Sequence, residues 1–478
     1  MLTTSFLEDC DYKFNNNPQN VLSRNIVSFV GMDFAMRNSD AEPPNHIFTT
    51  TTKPDTLKAS SQGYSGTCWL YSGFNMLRHG FMSDNESDNF EFSSTFLSFY
   101  DKLERANSIL SQVITDGYTD INNRNLQYLL GIIGDGGYWH TFVELVEKYG
   151  LIPVSAMNKA DSDEDSSDMN NVIYDTIYEA VVEILKVNDS KISKRQKLTK
   201  YDSIKRETMK KIYNILQMFF GRPPTNFDVY LENTKDGGKK LGTFTPLEFK
   251  NKVLKSINDD TTLHDFTVLF NNISLPMNKW IQFKNSEFVY GKGNSELYNT
   301  TKELMLKCVV DSIDLDIPVW FAGDIRKGFD AYGCSLSIDS IDEDLVFGKK
   351  KKFSKYDQHK YGLIHAEHAM LITGYNKNDI GDITEFQVEN SWGYDDDRSR
   401  GEDGFFNMKI DWFMKYCVQV VIHDQLIDEY IPNFNCVENS DIIPIEPWDR
   451  TVSCARVKGT KMPARYKRII KGKNNRHY

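Results

Sequence analysis

An α+β fold is the prediction, and three features of the 478-residue chain carry it. Apolar residues recur at helical spacing through much of residues 69 to 310, short β-rich runs bounded by Gly and Asp follow Asp316, and the two textures do not alternate. Strands alternating with helices would have argued for a doubly wound sheet; helices first and strands later argue for α+β.

Taken in order, residues 1–58 read as an irregular N-terminal arm rich in Asn, Thr and Pro, with turn or extended segments at 15–20 (NNNPQN) and 41–46 (AEPPNH). Residues 59–160 form a helical half. Leu70, Phe74 and Leu77 follow i, i+4, i+7 spacing, which starts a helix near Cys68. Ser93 to Leu110 repeats the helical pattern, as does Tyr138 to Tyr149 before the stop at Gly150.

Residues 161–310 read as a mainly helical insertion. It opens on DSDEDSSD (161–168), a solvated acidic loop lacking the glycine and closing Glu of an EF-hand. Residues 311–449 are the β-rich half, with runs at 317–323, 369–375, 385–392, 404–410 and 417–422, and residues 450–478 are a basic tail.

Composition narrows the function classes. Hydrophobic residues at 40% and charged residues at 26% suit a globular chain rather than a disordered one. The N-terminus lacks a basic start followed by an apolar stretch, and nowhere do eighteen apolar residues run together, so a cytoplasmic protein with no membrane partner is expected. Seven scattered cysteines without a CxxC pair argue against a disulfide framework and against a cysteine-rich zinc site. The net charge of −11 hides an asymmetry, because the tail holds ten Lys or Arg and no acid; without those ten charges, residues 1–449 carry −21. Such a tail makes nucleic acid, another polyanion or the acidic body itself its natural target.

The chemistry centres on SQGYSGTCWLYS (61–72), where one cysteine separates a glycine-rich turn from an apolar helix. A thiolate attacks, not a thiol, and the free N–H groups of a helix start favour an anion at Cys68. Most free cysteines are buried and inert, so Cys68 alone would be ordinary core. Its partners decide the matter. His368 directly precedes the run AMLITGY, where a rigid strand can hold an imidazole. Twenty-two residues on, Phe386, Val388 and Asn390 alternate onto one face, and an inward amide at a strand end is satisfied by orienting an imidazole. His365 and His368 flank Glu367, but an i, i+3 pair ahead of a strand with no further ligands does not make a metal site.

QGYSGTCW, His368 before its strand and VENSWG (388–393) resemble the Cys-His-Asn constellation of papain-like cysteine peptidases, and more closely the bleomycin hydrolase and aminopeptidase C branch. FSSTFLSFYDKLERAN (92–107), GDGGYWHTFVELVEKYGLIP (134–153), DIPVWF (316–321) and PWD (447–449) match that branch in order. The resemblance implies a papain-like fold of helical and β-barrel halves with a cleft between them. It also implies Cys68 as nucleophile, His368 as base, Asn390 as orienting amide and Gln62 as oxyanion donor, with Trp392 covering the His–Asn hydrogen bond and Gly136 and Gly137 as the substrate-backbone subsite. No cofactor is implied; peptides are the substrates, and a homo-oligomer, a hexamer in this branch, is the expected assembly.

Two departures stand out. Thr67 occupies a position that is usually basic, and the chain runs twenty-nine residues past Asp449, where the branch ends in an arm that gates the cleft. The resemblance makes an aminopeptidase the leading expectation, against which the extension past the gate counts. An endopeptidase or acyl-transfer enzyme with a displaced gate is the alternative, and a catalytically idle polyanion binder the rival from another class.

Overall fold

A computed structural model of the protein describes residues 2–54, 58–232, 237–257, 262–330, 333–348, 352–393, 404–435 and 441–456. The solvated loop predicted at 395–404 lies outside the described residues except for Gly404, as do the lysines at 349–351 and the tail beyond 456.

The helical half is built on three segments. Cys68–Asn85 starts at the cysteine, as its spacing predicts, and ends on Glu86 in the left-handed conformation. Ser94–Asp116 is capped by the Ser93 side chain, which accepts from Phe96 N–H, and Trp139–Tyr149 stops at Gly150, whose φ of 83° favours glycine. Phe74, Phe92 and Phe142 meet between them, with ring centroids 5.5 and 5.8 Å from Phe74. Gly73 makes this approach possible: a Cβ there would sit 2.7 Å from the Phe142 ring.

Among the described residues, twelve strands join one mixed sheet. Its centre runs Phe266–Phe270, Cys417–His423, Val319–Gly323, His368–Lys377, Ile383–Glu389 and Phe405–Lys409, each antiparallel to the next. Period-2 alternation divides the core. Ala369 and Leu371 join the helices in one apolar cluster, whereas Met370, Ile372, Phe386 and Val388 enter a second cluster on the opposite face with Trp412 and Phe413.

Several expectations need correction. The N-terminal arm is not irregular: Thr4–Asn15 and Pro18–Phe29 are helices, capped by Thr3 and Asn17. Turn residues at 15–17 end one helix and start the next, which is why they read as loop. Residues 161–310 are helical only in part. Asp161–Glu164, Ser167–Asp189 and Lys194–Phe220 are helices, but Phe227–Leu231 pairs with Lys239–Phe244, and Phe266–Phe270, Lys279–Phe283 and Glu296–Asn299 join the main sheet. Nor is the acidic segment all solvated, since Asp163 is buried on the Ser94 and Ser98 hydroxyls.

Candidate active site

Cys68 is the first residue of its helix and is fully buried. The preceding loop is tied from both sides. Towards the sheet, Gln62 N–H donates to Ser391 O (2.8 Å) and Gly393 N–H to Ser60 O (2.9 Å), so 60–62 runs antiparallel to 391–393. Towards the helical half, Gly66 N–H donates to Asp135 Oδ2 (3.0 Å), Trp69 Nε1 to Asp135 O (2.7 Å) and Tyr64 N–H to Glu164 O (2.5 Å).

His368 is the first residue of its strand, opposite Gly323, and is fully buried. Its Nε2 lies 2.8 Å from Asn390 Oδ1, and Trp392 lies against the ring at a centroid distance of 5.1 Å. Nδ1 is buried without a hydrogen-bond partner among the described residues, and the helix of Cys68 packs against this strand. Burial pushes the imidazole down to about 4, and the Asn390 bond pulls the other way. Such an imidazole becomes a cation readily only beside an anion, and a thiolate would be one.

Gln62 is buried in the same web. Its Oε1 accepts from Ser391 Oγ (2.6 Å), and one Nε2 hydrogen goes to Ser65 O (2.7 Å). The amide is thereby fixed within the loop leading to Cys68.

Gly136 and Gly137 are in contact with the chain's own C-terminal segment. Gly137 N–H donates to Ala455 O (3.1 Å), Ala455 N–H to Gly137 O (3.2 Å), and Arg456 N–H to Glu367 O (2.7 Å), one residue before His368. Cβ atoms at Gly136 and Gly66 would sit 2.6 Å from Cys454 Sγ and 2.8 Å from Arg456 O, so both positions need glycine for the approach. Beside this segment lies a pocket of about 610 Å³ whose lining includes Tyr128, Tyr138, Phe288 and Asn170.

Sequence reasoning missed Asp135. Burial alone would raise its pKa, but the Lys102 ammonium and hydrogen bonds from Ser166 and Gly66 N–H hold it well below the usual carboxylate range. Its place inside GDGG was the available signal. Ser391, inside ENSW, was likewise passed over. His365, read as an exposed loop residue, is instead half-buried, its N–H donating to Asp324.

A helix-borne cysteine, a strand-borne histidine and an asparagine that orients it, on the two halves of an α+β fold, define the class: a thiol peptidase of the papain-like kind. The chain belongs to the Peptidase C1-like family, whose sequence profile matches residues 1–451. It is similar to aminopeptidase E of Lactobacillus helveticus, 29% identical over 436 residues that cover 90% of this chain and 94% of that one. Human bleomycin hydrolase is 28% identical over 447 residues, 91% of this chain and 95% of its own. The crystal structure of PepW from Lactobacillus rhamnosis HN001 shares the fold, with a TM-score of 0.85 at 24% identity, covering 95% of this chain and 99% of that one. Among the described residues no helix is long and apolar enough to cross a membrane.

Proposed function

We propose that this cysteine peptidase is an aminopeptidase that works through an acyl-enzyme on Cys68. His368 Nδ1 takes the thiol proton, the thiolate attacks the peptide carbonyl, and the imidazolium then protonates the leaving amine; water subsequently releases the acyl group by the reverse proton path. Asn390 keeps Nε2 engaged so that Nδ1 faces the reaction, and Trp392 shields that bond. Gln62 and the Cys68 N–H receive the negative oxygen; losing such a donor typically costs about 10²–10³ in rate.

The observation that carries the exopeptidase reading is the segment 453–456. It lies along Gly137 and Glu367 with the backbone pairing that an extended peptide would make, so one side of the cleft is filled by the chain itself. A substrate is left room for little beyond the residue that acylates Cys68. Peptide amides with a free amino end, compared with their N-acetylated forms, test this: selective cleavage of the free form is expected. Equal cleavage of both would favour the endopeptidase alternative, and turnover surviving Cys68→Ala would remove the nucleophile assignment.

A homo-oligomer in the cytoplasm completes the proposal. The helices Thr4–Asn15 and Pro18–Phe29 bury none of their residues, and Phe6, Leu7, Leu22 and Phe29 stand exposed, an apolar surface suited to a second copy. The hexamer of the related branch is the expected size, and sedimentation at micromolar concentration decides it. The basic tail is read as a site for nucleic acid or another polyanion, and salt-dependent binding lost on deleting residues 450–478 would support that role.

A further inference from the structure

A second cluster of titratable groups lies away from the cleft. Lys302, the first residue of the helix Lys302–Asp314, is only 3% exposed, and its Nζ has no hydrogen-bond partner among the described residues. The ammonium lies 5.7 Å from the centre of the Phe413 ring. From the other side, Lys355 Nζ donates to Met414 O (3.2 Å), so the two lysines converge on consecutive residues of the helix Ile410–Tyr416. His359 follows Lys355 by one turn of the helix Lys355–Lys360 and faces the same way; it is 5% exposed, and its Nε2 is also buried without a partner among the described residues.

No carboxylate forms an ion pair with Lys302 or Lys355 among the described residues. Cys417 is a buried thiol facing Gln419 O, with its pKa pushed up to about 11 by burial. Glu303, the carboxylate that acts on both lysines, is exposed and forms no ion pair with either among the described residues. Burial pushes Lys302 down to about 8, and burial together with the two lysines pushes His359 down to about 4. Two cationic side chains and an imidazole facing one another, two of their nitrogens unsatisfied, are costly unless something negative completes them. At the start of Lys302–Asp314 Thr301 Oγ1 already accepts from Leu304 N–H, and the remaining first-turn N–H groups favour the same occupant.

We propose that Lys302, Lys355 and His359 form a binding site for a small oxyanion of the phosphate class, set between the start of Lys302–Asp314, the helix Lys355–Lys360 and the end of Ile410–Tyr416. Three donors on separate side chains suit a tetrahedral oxyanion, which offers an oxygen in each direction.

Thermal unfolding of the full chain in inorganic phosphate, against sodium chloride of equal ionic strength, tests the site. Phosphate is expected to raise the wild-type Tm by about 2 °C or more, with calorimetric titration giving one site per chain, and both effects are lost in Lys302→Met and Lys355→Met. Met replaces an unpaired buried ammonium with apolar volume, so Lys302→Met should fold, and its Tm in chloride verifies this. Equal Tm in phosphate and chloride would overturn the site, Lys302 then being a neutral amine in apolar packing. A phosphate response that survives Lys302→Met would also overturn it, placing the anion on the lysines at 349–352 or the tail.

Discussion

Deleting residues 450–478 should convert the peptidase from one that refuses N-blocked peptides to one that accepts them. Four hydrogen bonds hold the described part of the segment: two between Gly137 and Ala455, Arg456 N–H to Glu367 O, and Ala366 N–H to Ser453 Oγ at 3.0 Å. At about 1 kcal/mol net apiece they are worth about 4 kcal/mol, or roughly 10³ in equilibrium. Because the segment is tethered, it competes at an effective concentration on the order of millimolar, which no ordinary substrate exceeds. A blocked peptide long enough to pair with Gly137 must displace it. The expected result is a rise of about 10²–10³ in kcat/KM for blocked peptides, while free-amine dipeptide amides, which do not reach Gly137, change less than about tenfold. The assay is fluorogenic turnover by both chains, with matching Tm values to show that the deletion leaves the fold intact. Blocked peptides cleaved equally by both chains would refute the gate.

Three further outcomes follow from the same geometry. With His368 held at about 4 by burial, kcat/KM should stay level as pH falls from 7 to 5 and drop only as it passes through about 4; an acid limb near the ordinary histidine value, about 6.5, would contradict this. Asp135→Asn should destabilise the chain by about 3–5 kcal/mol in chemical denaturation, because it leaves the buried Lys102 ammonium with no carboxylate nearer than Asp101 Oδ2 at 4.0 Å. The Asp135 pKa is depressed in the folded state, so its contribution is fully present above the unfolded value, about 3.9, and fades as pH falls below it. The stability curves of the wild type and of Asp135→Asn should therefore converge in acid. Ala455 and Arg456 pair with Gly137 and Glu367 as a bound peptide would, so self-trimming of the tail is expected; intact-mass measurement should show a chain shortened beyond Arg456 in the wild type and an uncut chain in Cys68→Ala.

The parts of this protein that follow a local rule were legible in its sequence. The helix at Cys68 was visible from apolar spacing and a glycine-rich approach, and the strand leading to Asn390 from strict alternation. The strands at 266–299 were hidden because Phe266–Phe270 is buried along its whole length, and a short continuous apolar run has no period to separate it from helix. Asp163 looked solvated because it sits in the acidic run at 161–168, whereas its burial depends on Ser94 and Ser98, more than sixty residues away. The seat of residues 453–456 was hidden for the same reason: contacts with Gly137 and Glu367 have no signature in the segment itself.

The same alternation explains how a site assembled from two halves holds its geometry. On the strand Ile383–Glu389 and the residue after it, Phe386, Val388 and Asn390 face one side, and Asn390 there meets His368. Glu389 faces the other side, where the helix of Cys68 lies. Its carboxylate accepts from Arg78 Nη2 at 2.5 Å and lies 3.2 Å from His79 Nε2, both on the helix Cys68–Asn85, while His79 Nδ1 meets Thr52 Oγ1 at 3.2 Å. Two adjacent residues therefore divide two tasks, since Asn390 sets the imidazole and Glu389 fixes that strand to the helix of Cys68. A buried carboxylate bound to two partners on one helix tolerates little sliding, because any shift leaves charge unpaired in the core. Residues 391–393 then continue into pairing with 60–62, so the strand's exit also fixes the loop that carries Gln62. The stretch from Glu389 to Gly393 thus touches the helix of Cys68, His368 and the loop that carries Gln62, and a one-residue slip there would exchange Asn390 and Glu389 between faces, removing the imidazole's partner and the link to the helix together.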